Sequence, residues 1–297
     1  MSLQRYVGAA WASVHGPTDP VRLLRWLCEA KFHGLVPSPS PRPIAYAAMA
    51  DAATDYPIDF PAVRCSSILA ERPTTAGLAS AREGDLRLAK QAAQQGVALA
   101  ASVATRCVIL EPGLVPVMGE IEREDLGDPS YDWTKERVEA LVARRKVSLP
   151  PALDRVCRAV FELARANPDF TFCLTQSRSV LAVASVEALQ MVFEDLGGVR
   201  LGYWHDAAIA ARREQVLGEP QGAWLEAFAD RCVGCSLGDA RQEGLYLPPG
   251  SGAVDYPLLA SYLKPAGRSA VACLELDPSV ASGELPGMRA CLDKFGL

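Results

Sequence analysis

Acidic and imidazole side chains follow several short apolar runs of this sequence, at positions where β-strands would end. Glu111 ends one such run, His205 and Asp206 end a second, and Glu275 lies in a third. Carboxylates and imidazoles are the side chains that most often take up and release protons in enzymes. We therefore treat these four residues as the first candidates for a catalytic site.

Glu275 is the strongest of these candidates because its surroundings in the sequence are apolar. In an extended strand, alternation places Val271, Cys273 and Glu275 on one face. A carboxylate on such a face is costly to bury unless it is paired or used in chemistry. Two interpretations stay open, a functional carboxylate or a buried salt bridge with an arginine or a lysine.

Other polar or aromatic residues at predicted strand ends are candidates for ligand binding. A ring of carboxylates, histidines and arginines suits a small polar ligand, including an anionic one. Strand ends are polar in any barrel because they meet solvent, so each residue also has a purely structural interpretation. The substrate-binding candidates are Trp11, Glu71, Gln176, Arg178, Trp204 and Arg241.

The elements that would position these residues alternate between short β-rich runs and longer amphipathic runs. Eight such units span nearly the whole chain, which predicts parallel βαβ units closed into a (β/α)₈ TIM barrel in a single domain, residues 1–297. No GxGxxG follows the first strand, which disfavours a Rossmann fold. The predicted strands are Tyr6–Val14, Gly34–Pro37, Val63–Ala70, Arg106–Glu111, Phe170–Thr175, Val199–Trp204, Cys232–Leu237 and Ala270–Leu276.

The predicted helices follow from apolar periodicity and from Gly and Pro stop signals. A polar segment, residues 112–133, separates the fourth strand from the next helix and carries Glu120, Glu122, Glu124 and Asp125. It could cover the barrel mouth as a lid, but we favour a solvated acidic loop. The helices are Asp19–Phe32, Ile44–Ala53, Glu83–Val97 (ended by Gly96), Thr134–Arg145, Ala152–Ala166, Val186–Leu196, Ala223–Asp230, Asp255–Leu263 and Ala281–Phe295.

Composition disfavours several classes of function. The net charge of −5 gives no general attraction to nucleic acid. No apolar run reaches the length of a membrane span, and the N-terminus lacks the pattern of a signal peptide. Nine cysteines form no compact framework, which predicts a reducing, cytoplasmic compartment. Cys232 and Cys235 form a CxxC, but strand alternation predicts that they point to opposite faces and do not chelate a metal.

Four segments of the C-terminal half resemble the sugar phosphate isomerase/epimerase family, the xylose isomerase-like barrels. The resemblance covers roughly residues 185–280 in order and spacing, whereas the first half agrees only in its pattern of units. Family segments of the forms YWHDxGHA, WLxxFxDRxxG, PPGxGxIDF and LEIxP correspond to Leu201–Asp206, Trp224–Gly234, Pro248–Tyr256 and Leu274–Pro278.

The resemblance implies a divalent metal held by carboxylates and an imidazole from strands five to eight. Asp206 and Glu275 match two of these ligands. Thr175 stands at the glutamate position of strand five, Ser236 at the histidine position of strand seven, and Ile209 at a further histidine position. Two carboxylates alone would hold Mn²⁺ or Mg²⁺ weakly, so we expect either a weakly bound divalent metal or none.

Two functional hypotheses follow from the resemblance. The first is a divergent sugar or sugar phosphate isomerase or epimerase, in which Glu275 is the base, His205 or Glu111 is the second acid or base, and Asp206 binds metal or orients the substrate. The second is a non-catalytic protein that binds a small ligand or a partner at the barrel mouth. A repair nuclease on the same barrel is disfavoured by the three histidines of the chain. A sugar-like ligand is expected in the first case, and a homo-oligomer is possible in either.

Overall fold

The computed structural model describes residues 4–65, 77–117, 124–263 and 270–297. Strands and helices alternate through these residues. In chain order they are β1 (Arg5–Gly8), α1 (Ala9–His15), α2 (Pro20–Glu29), β2 (Gly34–Val36), α3 (Tyr46–Ala52), β3 (Val63–Cys65), α4 (Glu83–Ser102), β4 (Cys107–Leu110), α5 (Lys135–Ala166), β5 (Thr171–Thr175), α6 (Val186–Asp195), β6 (Leu201–Asp206), α7 (Ala207–Leu217), α8 (Gln221–Phe228), β7 (Cys232–Ser236), β8 (Asp239–Arg241), β9 (Gly244–Leu247), α9 (Tyr256–Leu263), β10 (Val271–Leu274) and α10 (Leu285–Phe295).

Eight of these strands form one parallel sheet that curls into a barrel. The order around it is β2, β1, β10, β7, β6, β5, β4, β3, and each neighbouring pair is parallel. The two end strands meet through a backbone hydrogen bond of 2.8 Å from Arg64 N to Pro37 O, just beyond β2. The predicted (β/α)₈ barrel is therefore confirmed.

Alternation along the strands separates two apolar cores. Side chains that point into the barrel form a small inner core, which includes Tyr6, Ile109, Cys173 and Trp204. The outward-pointing residues, such as Phe172, pack with the helices into the larger core. This inner core fills the barrel below the carboxyl ends of its strands, and the inward-pointing residues at those ends are polar.

Several predicted boundaries differ from the structure. Lys135–Ala166 is one helix, although we predicted two, Thr134–Arg145 and Ala152–Ala166, with Pro150 and Pro151 in the gap between them. The φ angle of proline is compatible with a helix, and the apolar face that follows the prolines is buried. Gly96 lies inside α4 rather than ending it, because its missing side chain leaves room for Cys65 of β3; a Cβ there would lie 2.9 Å from that of Cys65.

The predicted first strand, Tyr6–Val14, was wrong beyond Gly8, because Ala9–His15 forms helix α1, which buries Trp11 and Ala12. Two further elements were not predicted at all. Helix α7 begins directly at the end of β6, and the antiparallel hairpin β8–β9 follows β7. The hairpin packs against α7 at the barrel mouth. Of the predicted third strand, Val63–Ala70, the structure confirms Val63–Cys65, and residues 66–70 lie outside the described part.

The CxxC prediction of opposite faces was wrong. The pairing of β6 with β7 is irregular, since consecutive residues Tyr203 and Trp204 pair with Cys232 and Gly234. The extra residue of β7 shifts the alternation, so Cys232 and Cys235 both belong to the core between barrel and helices. Both are free thiols, and burial raises the pKa of each.

No helix within the described residues is both long and apolar enough to cross a membrane.

Candidate active site at the barrel mouth

An arginine occupies the centre of the polar end of the barrel. Arg64 points inward from β3, and 14% of its side chain is exposed. Its Nη2 donates a 2.8 Å hydrogen bond to Ser236 Oγ and lies 3.9 Å from Asp206 Oδ2, while its Nε lies 4.0 Å from Glu275 Oε2. Burial alone would lower the pKa of Arg64, but the acidic groups around it, Glu275 first, raise it above its ordinary value. The guanidinium is therefore a fixed positive charge.

Glu275 follows β10 and lies against β1. Its carboxylate fills space that a side chain at Gly8 would occupy, since a Cβ there would lie 2.7 Å from Glu275 Oε1. Glu275 Oε2 has no hydrogen-bond partner among the described residues, and neither has Arg64 Nε. Burial raises the pKa of this carboxyl, and the charge of Arg64 opposes the rise. The salt-bridge interpretation of Glu275 is thus realised with Arg64, but two of the polar atoms in this pair stay open to a ligand.

Asp206 is fully buried and held from three sides. Its Oδ1 accepts from the amide of Ile209 and so caps the N-terminus of α7. Its Oδ2 accepts from the hydroxyl of Tyr246 at 3.2 Å, and its own amide donates to Gln176 Oε1. Burial raises the pKa of Asp206, with Arg64 acting in the opposite direction. The residue orients the site as well as contributing charge to it.

Glu111 and Thr175 come from the neighbouring strands on the other side of Arg64. Glu111 directly follows β4, and its pKa is raised by burial and lowered in part by Arg64 and by a hydrogen bond from Ser177. Thr175 ends β5 fully buried, and its Oγ1 has no partner among the described residues. Arg64 is therefore surrounded by three carboxyl groups, and Thr175 contributes a buried hydroxyl without a partner among the described residues.

The hairpin β8–β9 brings Tyr246 to this cluster. Tyr246 has a φ of +61°, a left-handed conformation that is unusual for a residue with an aromatic side chain. Its carbonyl accepts from the amide of Asp277, which ties the hairpin to the segment after β10. Such backbone strain persists where the surrounding structure imposes it, often at functional sites.

Arg178 lies at the rim of the mouth. Its Nε donates to Asp125 Oδ1 at 2.9 Å, and about half of its side chain is exposed. The adjacent Glu124 is buried and accepts from Ser179 and from the amide of Val180. The interpretation of residues 112–133 as a solvated acidic loop was therefore wrong for Glu124, whereas Glu120 and Glu122 lie outside the described residues.

Three of the predicted residues belong to the same strand ends but do not face the cluster in the expected way. His205 lies on the outward face of β6, where its Nδ1 is 2.9 Å from the hydroxyl of Tyr203 and 3.3 Å from Gln176 Nε2. Burial lowers the pKa of His205 to about 3, so the ring is neutral. Trp204 points inward below Arg64, and its indole donates to Ser236 Oγ. Gln176 links His205 to the amide of Asp206.

The remaining predicted residues are not part of the cluster. Trp11 is fully buried in α1, stacks on His15 and donates its indole hydrogen to Val280 O. Arg241 is exposed at the end of β8. Glu71 lies outside the described residues.

The described donor set does not fit a divalent metal. Asp206 and Glu275 face the guanidinium of Arg64 rather than a shared point between them. Among residues 4–65, 77–117, 124–263 and 270–297, no three side chains of His, Cys, Asp or Glu are grouped so that they could hold a metal ion. The two matching ligands that the sequence resemblance implied are thus brought together, but around an arginine.

Sequence reasoning missed Arg64 and Tyr246. Arg64 carried one signal, a single charged residue in the apolar stretch Ala62–Cys65. The same argument that identified Glu275 would have identified Arg64, and each is the counter-charge of the other. Tyr246 carried no comparable signal, because the hairpin that positions it was not predicted.

Solved structures with this architecture are sugar epimerases and related barrels. A D-tagatose 3-epimerase-like protein matches 99% of this chain and 97% of its own length at 15% identity, with a TM-score of 0.65. An L-ribulose 3-epimerase matches 98% of this chain and 86% of its own at 13% identity, with a TM-score of 0.66. The IolI protein, whose structure has a bound zinc atom, matches 99% and 96% at 13% identity, with a TM-score of 0.63.

Sequence comparison adds nothing to these matches. No model of a known protein family matches the chain, and no curated protein matches it. Identities of this size show the fold, as does the order of the eight parallel strands. The chain therefore has the (β/α)₈ fold of the xylose isomerase-like sugar epimerases and isomerases.

Proposed function

We propose that this barrel is a sugar isomerase or epimerase that acts on a small, neutral, polyhydroxylated carbonyl compound at the mouth. The observation that supports this proposal is the group of polar atoms without partners in an otherwise paired, buried cluster: Glu275 Oε2, Arg64 Nε and Thr175 Oγ1. Buried polar groups are normally hydrogen-bonded, so open atoms at the carboxyl ends of three strands of the barrel favour a hydrogen-bonding ligand. The names of the structurally similar proteins favour a sugar.

The chemistry requires a base, an acid and a positive charge for the developing oxyanion. In the proposed reaction, the Glu275 carboxylate removes the proton from the carbon next to the carbonyl. The C–H electron pair forms a C=C bond, and the carbonyl π electrons move to oxygen, which Arg64 stabilises. A second carboxyl group, Glu111, returns a proton to the same carbon from the other face, which gives the epimer. If the proton goes instead to the former carbonyl carbon, the hydroxyl proton of the first carbon moves to the old carbonyl oxygen, the C=C electron pair forms the new C–H bond, and the O–H electron pair forms the new C=O bond, which gives the isomer. His205 has no part in this scheme, because it faces the helices and is neutral.

The charges of the site favour a neutral substrate over a phosphorylated one. Arg64 is surrounded by three carboxylates, and Arg178, the other described arginine whose charge acts on Glu111 and Asp206, is already paired with Asp125. When ionised, the three carboxylates outweigh the single charge of Arg64, so an added anion is repelled; the pKa of each carboxyl, raised by burial, reflects the same cost of negative charge in this site. This argument gives the free sugar preference over the sugar phosphate.

The test uses solvent deuterium, which records proton transfer whichever product forms. The protein is incubated in D₂O with D-tagatose, L-ribulose and other ketoses and aldoses of four to six carbons, and deuterium at the carbon next to the carbonyl is measured by NMR and mass spectrometry. We expect incorporation with at least one sugar and a loss of about 10²-fold or more in Glu275→Gln. Glu284 is exposed in the short 3-10 turn just before α10, so Glu284→Gln is the matched control and should retain the wild-type rate. Equal incorporation in both variants, or none with any sugar, would contradict the proposal.

A second candidate function is sugar binding without turnover, and the contacts of Arg64 favour it. An ion pair with Arg64 weakens Glu275 as a base, because the charge of Arg64 opposes the rise of the carboxyl pKa. This hypothesis predicts that a sugar raises the unfolding temperature without deuterium exchange. A ligand at about 100 times its Kd would stabilise the protein by about 2.7 kcal/mol, which is easily measured.

A further inference from the structure

The positive charge at the centre of this mouth belongs to the chain itself. Arg64 lies within 4.0 Å of both carboxylates that match the metal ligands implied by the sequence resemblance. A second cation placed between those carboxylates would meet the guanidinium at short range in a site with little solvent, where like charges repel strongly.

The position that corresponds to the imidazole ligand holds this arginine in place. Ser236 Oγ accepts two hydrogen bonds, one of 2.8 Å from Arg64 Nη2 and one of 3.0 Å from Trp204 Nε1. Trp204 is fully buried in the inner core below the mouth, so the guanidinium is attached to the rigid floor of the barrel. A histidine at position 236 would be too large for this arrangement, and a serine fits it.

The edge of the guanidinium that faces Glu275 can still donate a hydrogen bond to a ligand. Arg64 Nε is buried and has no hydrogen-bond partner among the described residues, and the same holds for Glu275 Oε2 beside it. These two atoms form a donor and an acceptor about 4 Å apart. A carbonyl oxygen and a neighbouring C–H or hydroxyl group of one ligand match that pair.

We propose that Arg64 takes the place of the divalent metal ion, so that this site binds and polarises the carbonyl oxygen of its ligand through Arg64 Nε and works without a metal. The inference rests on the proposed function for the identity of the ligand, but not for the exclusion of the metal. Ser236 and Trp204 act as positioning residues, since they hold the guanidinium and do not reach the ligand.

The exclusion of metal is tested on the purified, chelator-treated protein with Mn²⁺ alone. The resonance of free Mn²⁺ is followed by electron paramagnetic resonance during a titration, with calorimetry as a second readout. We expect no saturable binding by the wild-type protein up to about 1 mM, the weak end of divalent-ion sites in proteins. In Arg64→Ala, which leaves the carboxylates and frees the space, Mn²⁺ should bind at least about tenfold more tightly.

The matched control is Arg213→Ala, which removes a buried arginine whose partner, Glu219, lies outside the barrel mouth. This variant should lose stability without gaining affinity for Mn²⁺. Stoichiometric Mn²⁺ binding by the wild-type protein that Asp206→Asn abolishes would overturn the inference, and this measurement decides the question even if Arg64→Ala does not fold.

The catalytic half of the inference has its own readout. If deuterium exchange is found, it should persist in excess chelator and be lost in Arg64→Ala, with partial recovery in Arg64→Lys, which keeps the charge. Exchange that requires added Mn²⁺ would overturn the inference while leaving the proposed function intact. Absence of exchange with any sugar would instead contradict the proposed function, and the Mn²⁺ titration would still stand.

Discussion

At the scale of single residues, several buried charged side chains lie close together at the mouth of this barrel, an arrangement that is costly unless it serves binding or chemistry. Three carboxylates whose pKa is raised by burial surround one arginine. Breaking a buried ion pair is strongly destabilising, and replacing the whole pair by apolar residues is often neutral or stabilising. The cluster is therefore a weak stabilising device, which supports a role in binding or chemistry.

The Gly8→Ala variant tests the placement of Glu275. The new Cβ would lie 2.7 Å from Glu275 Oε1 and 2.9 Å from its Cδ, so the carboxylate must leave its position against β1. A displacement of about 1 Å can lower the rate of a reaction by about 10²-fold, and we expect a loss of that order in deuterium exchange. Overpacking should also destabilise the fold by about 1–3 kcal/mol in urea unfolding.

The control for this variant is Gly84→Ala, which introduces the same methyl group in α4. Nothing lies within 4 Å of a Cβ at Gly84, so activity and stability should stay at the wild-type level or rise slightly. Wild-type exchange in Gly8→Ala would show that Glu275 is not held against β1 as the structure has it.

The residues of the site divide into those that the sequence could indicate and those that it could not. Glu275 and Asp206 were found because a carboxylate at the end of an apolar strand requires a physical explanation. His205 was assigned to the site because it stands next to Asp206 in the sequence. Alternation along β6, however, puts the two side chains on opposite faces. Tyr246 reaches the site from a hairpin, and no local pattern predicts where a hairpin folds back.

At the scale of elements, the eight strands followed from periodicity, but the first was predicted to extend over residues that form helix α1, and the other errors lie between the strands. Helix α5 was predicted as two helices, whereas the helix continues through Pro150 and Pro151 because the apolar face beyond them is buried. Helix α7 was missed because its sequence, Ala207–Leu217, has no clear apolar stripe, being buried on several sides. The orientation of side chains along the strands was predicted less well than the type of element. The irregular pairing of β6 with β7 places a cysteine of β7 on the face opposite to the one expected.

One carboxylate, that of Asp239, holds the hairpin β8–β9 and the loop that follows it, residues 248–255. Asp239 is fully buried and accepts hydrogen bonds from the amides of Ala240, Gly250 and Val254 at 2.9 to 3.0 Å. Asp239→Ala would leave three amides without their acceptor, each worth about 1–3 kcal/mol when buried. Because the loop can relax, we expect a total loss of about 2–4 kcal/mol in urea unfolding.

A matched control separates this effect from the loss of any carboxylate. Asp19 accepts from one exposed amide, that of Arg22, as the N-cap of α2. Asp19→Ala should lower the free energy of unfolding by only about 1 kcal/mol. If the two variants lose equal stability, Asp239 does not hold the loop in the way described.

At the scale of the whole molecule, His205 gives the barrel a measurable sensitivity to acid. Burial lowers the pKa of this histidine to about 3, from an ordinary value of 6.5. The unfolded chain therefore binds a proton that the folded barrel does not bind between those two values. Stability must fall as the pH decreases from about 6.5 toward 3, and the loss between pH 7 and pH 5 is about 2 kcal/mol from this residue alone.

The buried carboxyls change stability in the opposite direction, so the contribution of His205 has to be isolated by difference. Their pKa is raised on folding, and they reduce stability as the pH rises through that range. His205→Asn removes the histidine contribution and leaves the carboxyls unchanged. Between pH 7 and pH 5, the free energy of unfolding of the wild type should therefore decrease by about 2 kcal/mol relative to that of the variant. Urea denaturation at the two pH values measures this shift, with the exposed His33→Asn as the control. A gap that does not change with pH would mean that folding does not lower the pKa of His205, and it would return this residue to the list of candidate acids at the mouth.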